Sequence, residues 1–181
     1  MSLITTSRRP TIQARILIRD LSLLIPGGLR VNRGKTSFNG LLVKSLENGR
    51  YCLIIVDSEG NKPSSINIFK LDDGCKILSK HKLKIHRLID KTDISNLRVP
   101  VKANRYFTVD EGMRPEMLEG INTITENIGL KRIGYNQLKD TSGIIFYFKS
   151  ENSSSVLSFH IAPSMVEIGP RIYIKQILSG D

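Results

Sequence analysis

Tryptophan is absent from this 181-residue chain, only two cysteines occur, and aromatic residues make up 6% of it. Two cysteines cannot build a disulfide framework, and Cys52, inside an apolar run, reads as a small buried hydrophobe of a reducing, cytosolic compartment. The longest apolar runs, residues 21–26 and 51–56, fall far short of the roughly 20 residues that cross a bilayer. No secretory signal is visible, Ser2 removes the glycine needed for myristoylation, and no prenylation box closes the chain. Membrane contact, if made, is expected to be peripheral and electrostatic.

Catalytic patterns are missing too. Gly28 and Gly34 are separated by five residues where a phosphate-binding loop needs four, and no long helix is expected to follow. There is no CxxC, HExxH or GxSxG pattern, and no cysteine has a neighbouring histidine. His81 and His86 fall on opposite faces of a presumed strand and His160 is isolated, while Asp72 and Asp73 suit the turn before Gly74. The expectation is a protein that is not an enzyme, with no metal, no cofactor and no small-molecule substrate.

Positive charge is plentiful and uneven. The net charge of +10 divides as +7 over residues 1–50, +3 over 51–100, +1 over 101–150 and −1 over 151–181. Such a gradient opposes compaction and points to a polyanionic partner, either a nucleic-acid backbone or an anionic membrane. Two clusters carry it. Arg8, Arg9, Arg15, Arg19, Arg30, Arg33 and Lys35 form the first. Lys80, Lys82 and Lys84 form the second, a row on one face of a strand; Arg87 joins it only if the strand ends or twists before that residue. Lysines at every second strand position stand about 6.6–6.8 Å apart, close to the spacing of phosphates along a strand. Exposed lysines also protect edge strands from aggregation, so the row has a structural reading beside the functional one. Base stacking would fall to Tyr51, Phe69, Tyr106 or Phe107, and with so few aromatics, sequence-tolerant backbone binding is the expectation.

Periodicity predicts an α+β fold in one domain, β-rich, as a sandwich or half-barrel, with residues 1–12 as a possible basic arm. Strands are expected over 11–20, 38–45, 51–56, 66–71, 77–88, 143–148, 156–161 and 171–178, with Glu47-Asn48-Gly49 and residues 151–154 as hairpin turns. One amphipathic helix is expected around 111–128, because Met113, Met117, Ile121, Ile124 and Ile128 recur at spacings of three or four. Residues 108–111 offer its caps, Pro115 suits its first turn, and Gly129 its stop. Gly120 weakens it by roughly 1 kcal/mol relative to alanine. Its apolar stripe serves either the core or a self-association surface. No internal repeat is visible.

Tyr51-Cys52-Leu53-Ile54-Ile55-Val56-Asp57, followed at a distance by Gly134, resembles the hydrophobic strand, aspartate and later glycine of the thirty-kilodalton superfamily of plant-virus cell-to-cell movement proteins. Leu97-Arg98-Val99-Pro100, Asn104-Arg105-Tyr106-Phe107-Thr108 and the 113–128 helix lie between them in a similar order. That resemblance implies structural roles for Asp57 and Gly134, binding of single-stranded RNA or viral nucleoprotein, association with host membranes, and action at plasmodesmata. In general character the chain is also similar to rhabdovirus matrix proteins, which implies bridging a nucleocapsid to an anionic membrane in the virion. A third resemblance, Arg8-Arg9 and Asp20-Leu21-Ser22 followed by Gly27-Gly28, is to PilZ barrels and implies a host or bacterial ligand-binding module.

Overall fold

A computed structural model describes residues 1–151 and 154–180. The β-rich domain is mixed α/β, built on a single large sheet with helices on both faces. In chain order it contains β1 (Ser2–Thr6), α1 (Ile12–Leu24), β2 (Leu29–Arg30), α2 (Phe38–Glu47), β3 (Cys52–Glu59), β4 (Lys62–Leu71), β5 (Ile77–Ile89), α3 (Lys91–Ile94) and β6 (Arg105–Val109). There follow α4 (Pro115–Asn127), β7 (Lys131–Arg132), a 3-10 helix (Tyr135–Asp140), β8 (Gly143–Glu151), β9 (Ser154–Ala162), β10 (Val166–Glu167) and β11 (Arg171–Gly180).

Two stretches expected as strands are helices. Residues 11–20 lie largely in α1, where Ala14, Leu17, Ile18, Leu21 and Leu24 are buried along one stripe and the Thr11 hydroxyl accepts from the Ala14 amide at 3.2 Å. Their β-branched residues favour a strand only weakly, and burial of the helical stripe outweighs that preference. Residues 38–45 lie in α2, capped by the Ser37 hydroxyl accepting from the Gly40 amide at 3.0 Å. Glu47-Asn48-Gly49 is therefore a helix end, with Gly49 at φ 64°, rather than a hairpin turn. A ten-residue helix does follow the Gly28–Thr36 segment, contrary to expectation.

The predicted helix is α4, beginning on Pro115 and stopping before Gly129, which has φ 78°. All five members of its stripe are buried, so they belong to the core rather than to a self-association surface. Its N-cap is Arg114, not residues 108–111, of which Thr108 and Val109 finish β6. The 151–154 turn includes Asn152 and Ser153, which lie outside the described residues. Residues 2–6, placed in a possible arm by the charge pattern, form a fully buried strand.

Strand order reads β2-β1-β3-β4-β5-β11-β9-β8-β6-β7, with β10 paired to β9. The first five strands and the last five repeat one connectivity about the antiparallel β5/β11 pair. In each half a short strand lies parallel to two others, then a hairpin leads to the centre. Main-chain hydrogen bonds repeat as well. Ser7 donates to Val56 O at 2.9 Å as Asp110 donates to Phe148 O at 2.8 Å, and Val31 donates to Ile4 O as Ile133 donates to Phe107 O, both at 2.9 Å.

On one face α1 and α4 cover the main core, which includes Ile54, Val56, Leu83, Phe146 and Phe159. On the other, α2 covers Leu53, Ile55 and Phe69, and the 3-10 helix covers Ile145. Between those two smaller covers the central strands are open. The contact between halves includes Arg105, whose guanidinium donates to the carbonyls of Leu23 and Leu24 at the end of α1, with Nε to Leu24 O at 2.8 Å.

Candidate nucleic-acid interface

The chain leaves β1 toward α1 on one face of the sheet and leaves β2 toward α2 on the other. Opposite crossovers from neighbouring parallel strands open a crevice beyond their carboxyl ends, the position where open α/β sheets bind ligands. Here that crevice has a volume of about 380 Å³. Arg8 reaches it from the β1–α1 loop, Arg15 from α1, Arg30 from the end of β2 and Arg33 from the loop before α2. Ser7 and Asn32 add neutral polar groups, and among the described residues no carboxylate lines it. Arg33 Nε donates to Thr36 O at 3.2 Å, which orients one guanidinium; Arg8, Arg15 and Arg30 are exposed. The walls are held by Thr5, whose hydroxyl donates to Val31 O at 2.9 Å between β1 and the β2–α2 loop.

Four of the seven N-terminal cations thus converge, and three do not. Arg9 and Lys35 are exposed but outside the crevice. Arg19 is turned to Asp20, with Nε to Oδ1 at 3.2 Å, in a separate depression shared with Lys91 and Arg98. Burial holds the Asp20 carboxyl above the usual range although the Arg19 charge opposes it. Among the eleven predicted cations, Arg19 alone has a carboxylate partner among the described residues.

The lysine row is real and faces outward on β5. Lys84, Lys82 and Lys80 stand opposite Ser65, Asn67 and Phe69 of β4. On the other side they stand opposite Gln176, Leu178 and Gly180 of β11, on the face that α2 and the 3-10 helix leave open. A register shift lies between Ile85 and Arg87, which pair with Ile174 and Tyr173, so His86 is the extra residue. The bulge returns Arg87 to the outer face, meeting the condition set for its membership of the row. Its guanidinium sits 5.4 Å from the centre of the Tyr173 ring. Because β5 is the middle of the sheet, edge protection is not what these lysines do.

Since β5 runs antiparallel to β4, Lys84 and Arg87 lie at the same end of the sheet as the crevice. A second depression of about 260 Å³ at that end takes Lys62, His86 and Arg87, with Gln13 from the first turn of α1. Lys62 was missed by sequence reading because it sits where a loop was expected; the pairing of Lys62 with Glu59 shows a hairpin strand instead. Ser7 and Asn32 were missed because crevice membership depends on the crossovers. Of the proposed stacking residues, Phe69 and Phe107 are buried, Phe69 edge-on to Phe38 at 5.1 Å, while Tyr51 remains exposed.

Asp57 lies inside β3, not at a strand end, and its carboxylate accepts from Asn67 Nδ2 at 2.7 Å beside the lysine row. Gly134 precedes the 3-10 helix, its amide donating to Gln137 Oε1 at 2.9 Å. Among the described residues, no group of three or more His, Cys, Asp or Glu is placed to hold a metal ion, and no helix is long and apolar enough to cross a membrane.

The fold is one already seen in solved structures. The crystal structure of a probable ribosomal biogenesis protein from Aeropyrum pernix K1 superposes with a TM-score of 0.73 at 18% identity, covering 96% of this chain and 94% of that one. An archaeal Imp4-like protein, Mil, superposes with a TM-score of 0.68 at 21% identity over 98% of this chain and 99% of its own. Sequence comparison runs the same way, although no family model matches. A probable Brix domain-containing ribosomal biogenesis protein of Thermococcus kodakarensis is 26% identical over 97% of this chain and 89% of its own length. The U3 small nucleolar ribonucleoprotein protein IMP4 of Homo sapiens is 27% identical over 96% of this chain, which spans 58% of that protein.

These similarities along nearly the whole chain overturn the viral reading. The movement-protein and PilZ resemblances rested on short segments and the matrix-protein one on general character alone, and a hydrophobic strand ending near an aspartate is common to many sheets. With them go the plasmodesma, the virion and the peripheral host membrane as locations, and viral nucleoprotein as partner.

Proposed function

We propose that this protein is a non-enzymatic RNA-binding factor of ribosome biogenesis that grips the phosphate backbone of a ribosomal precursor. The arginine crevice carries the reading: four guanidiniums around one concavity of about 380 Å³ that no acid lines among the described residues. Guanidinium is the side chain best matched to phosphate oxygens, because its donors form a rigid fork. The lysine row then extends the path of the backbone over the open face of β5. Ribosomal biogenesis and ribonucleoprotein membership in the names of its relatives support RNA as the polyanion. Arg8, Arg15, Arg30 and Arg33 are the primary contacts, Lys80, Lys82, Lys84 and Arg87 the secondary ones, and Arg9 and Lys35 steer approach at longer range.

Ultraviolet crosslinking to a single-stranded RNA of about 16 nucleotides, with peptide mapping, tests this reading. Crosslinks are expected in peptides from the β1–α1 and β2–α2 loops. Efficient crosslinking confined to other surfaces would overturn it.

A further inference from the structure

The repeated connectivity places a second crevice at the opposite end of the sheet. Hydrogen bonds set the equivalence: Ser7 corresponds to Asp110, and Val31 to Ile133. By the same register Thr6 and Val56 correspond to Val109 and Phe148, paired partners in β1/β3 and β6/β8. One residue on, Arg8 of the cationic crevice corresponds to Glu111. Where the first crevice gathers Arg8, Arg15, Arg30 and Arg33, the second is lined by Val109, Asp110, Glu111, Tyr135 and Tyr147. It has a volume of about 260 Å³. At the Arg8 position the sign of the charge is thus reversed on one scaffold, while Arg30 corresponds to Arg132, a cation that does not line the second crevice.

From this inversion we infer that the second crevice binds an arginine side chain presented by a basic protein partner. Among the described residues neither the Asp110 nor the Glu111 carboxylate has a hydrogen-bonded or ion-paired side-chain partner, in a chain of net charge +10 with cations to spare. Beside them stand two tyrosine rings, 6.3 Å apart at 43°, with Tyr135 64% exposed. Aromatic faces with carboxylates at the rim suit a guanidinium, which stacks on a ring while its fork meets a carboxylate. The volume lies below the roughly 300–1,000 Å³ of small-molecule clefts, which fits one side chain. Phosphate is repelled here, so RNA held in the first crevice and a basic protein held in the second do not compete.

The test uses the full chain and two peptides of one sequence, one carrying arginine and the other the uncharged isostere citrulline. Fluorescence anisotropy should show the citrulline peptide binding about tenfold more weakly, the worth of a hydrogen bond to a charged group. Asp110→Asn and Glu111→Gln together should weaken the arginine peptide as much, Tyr135→Ala should weaken it less, and Arg30→Glu should leave it unchanged. Full affinity in the Asp110→Asn/Glu111→Gln protein would overturn the inference. So would a Tyr135→Ala variant that loses RNA affinity while keeping the peptide, since the rings would then be stacking bases. Failure of RNA to bind the arginine crevice would leave these peptide outcomes untouched.

Discussion

Replacing Arg8, Arg15, Arg30 and Arg33 together by alanine should remove the steepest part of the salt dependence of RNA binding. Each cation that neutralises a phosphate on a single strand contributes about 0.7 to the slope of log affinity against log salt. Four in the crevice contribute about 2.8, and the four-membered row on β5 supplies as much again if all its members are engaged. The intact protein should therefore show a slope near about −5.6 and the quadruple variant one near about −2.8. Over a fourfold range, from about 50 to 200 mM, the difference amounts to about 1.7 decades of affinity. The fold should survive, because three of the four side chains are exposed and none is paired with a carboxylate among the described residues. Anisotropy of a labelled single-stranded RNA at several potassium chloride concentrations, with a melting curve for each protein, makes the measurement. An unchanged slope in a well-folded variant would refute the crevice as the phosphate site.

Three further outcomes concern the scaffold. Gly120→Ala should destabilise the protein: the added Cβ would lie 2.7 Å from Ile177 Cγ2, and overpacking of about 1–3 kcal/mol exceeds the helix-propensity gain of about 1 kcal/mol. A raised melting temperature would show instead that α4 shifts freely over β11. Arg105→Ala should cost about 2 kcal/mol in chemical denaturation, since the carbonyls at the end of α1 lose a charged donor; an unaltered midpoint would mean that water replaces it without loss. His81 is buried with Nδ1 3.0 Å from Ser179 Oγ and Nε2 without a partner among the described residues, and burial holds its imidazole below the usual value of about 6.5. The unfolded chain takes up that proton first as pH falls, so this contribution to stability is whole above about pH 6.5 and is lost below it. Melting temperatures between about pH 7.5 and 5 should drop more for the native protein than for His81→Gln; parallel curves would disprove the role.

Much of this was legible in residue order, and the misses have definite causes. Helix α4 and strand β5 show in apolar spacing because each presents one buried face, and β3, β4 and β8 show as near-continuous apolar runs because both their faces are covered. Helices α1 and α2 were obscured by β-branched residues and by Asn48-Gly49, which ends a helix as readily as it turns a hairpin. The strongest signal for α1, apolar residues at positions 14, 17, 18, 21 and 24, was present but was set against local propensity. Gly120, weak by propensity, is the point where α4 comes close to β11, a Cβ there falling 2.7 Å from Ile177 Cγ2.

By itself the chain determined that its cations crowd toward the amino end, since charge is additive and needs no geometry, and from that came the expectation of a polyanionic partner. It determined the lysine row, because a period of two survives in any strand. Tertiary structure decided which arginines act together: two parallel strands whose crossovers part to opposite faces bring Arg8 beside Arg30, while Arg19, four residues after Arg15, turns to Asp20. Structure also revealed the repeat that sets a cationic crevice against an acidic, tyrosine-lined one. Equivalent positions there keep backbone hydrogen bonds and only scattered side chains, such as Thr5 with Thr108 and Arg30 with Arg132, too few for a repeat to show in residue order.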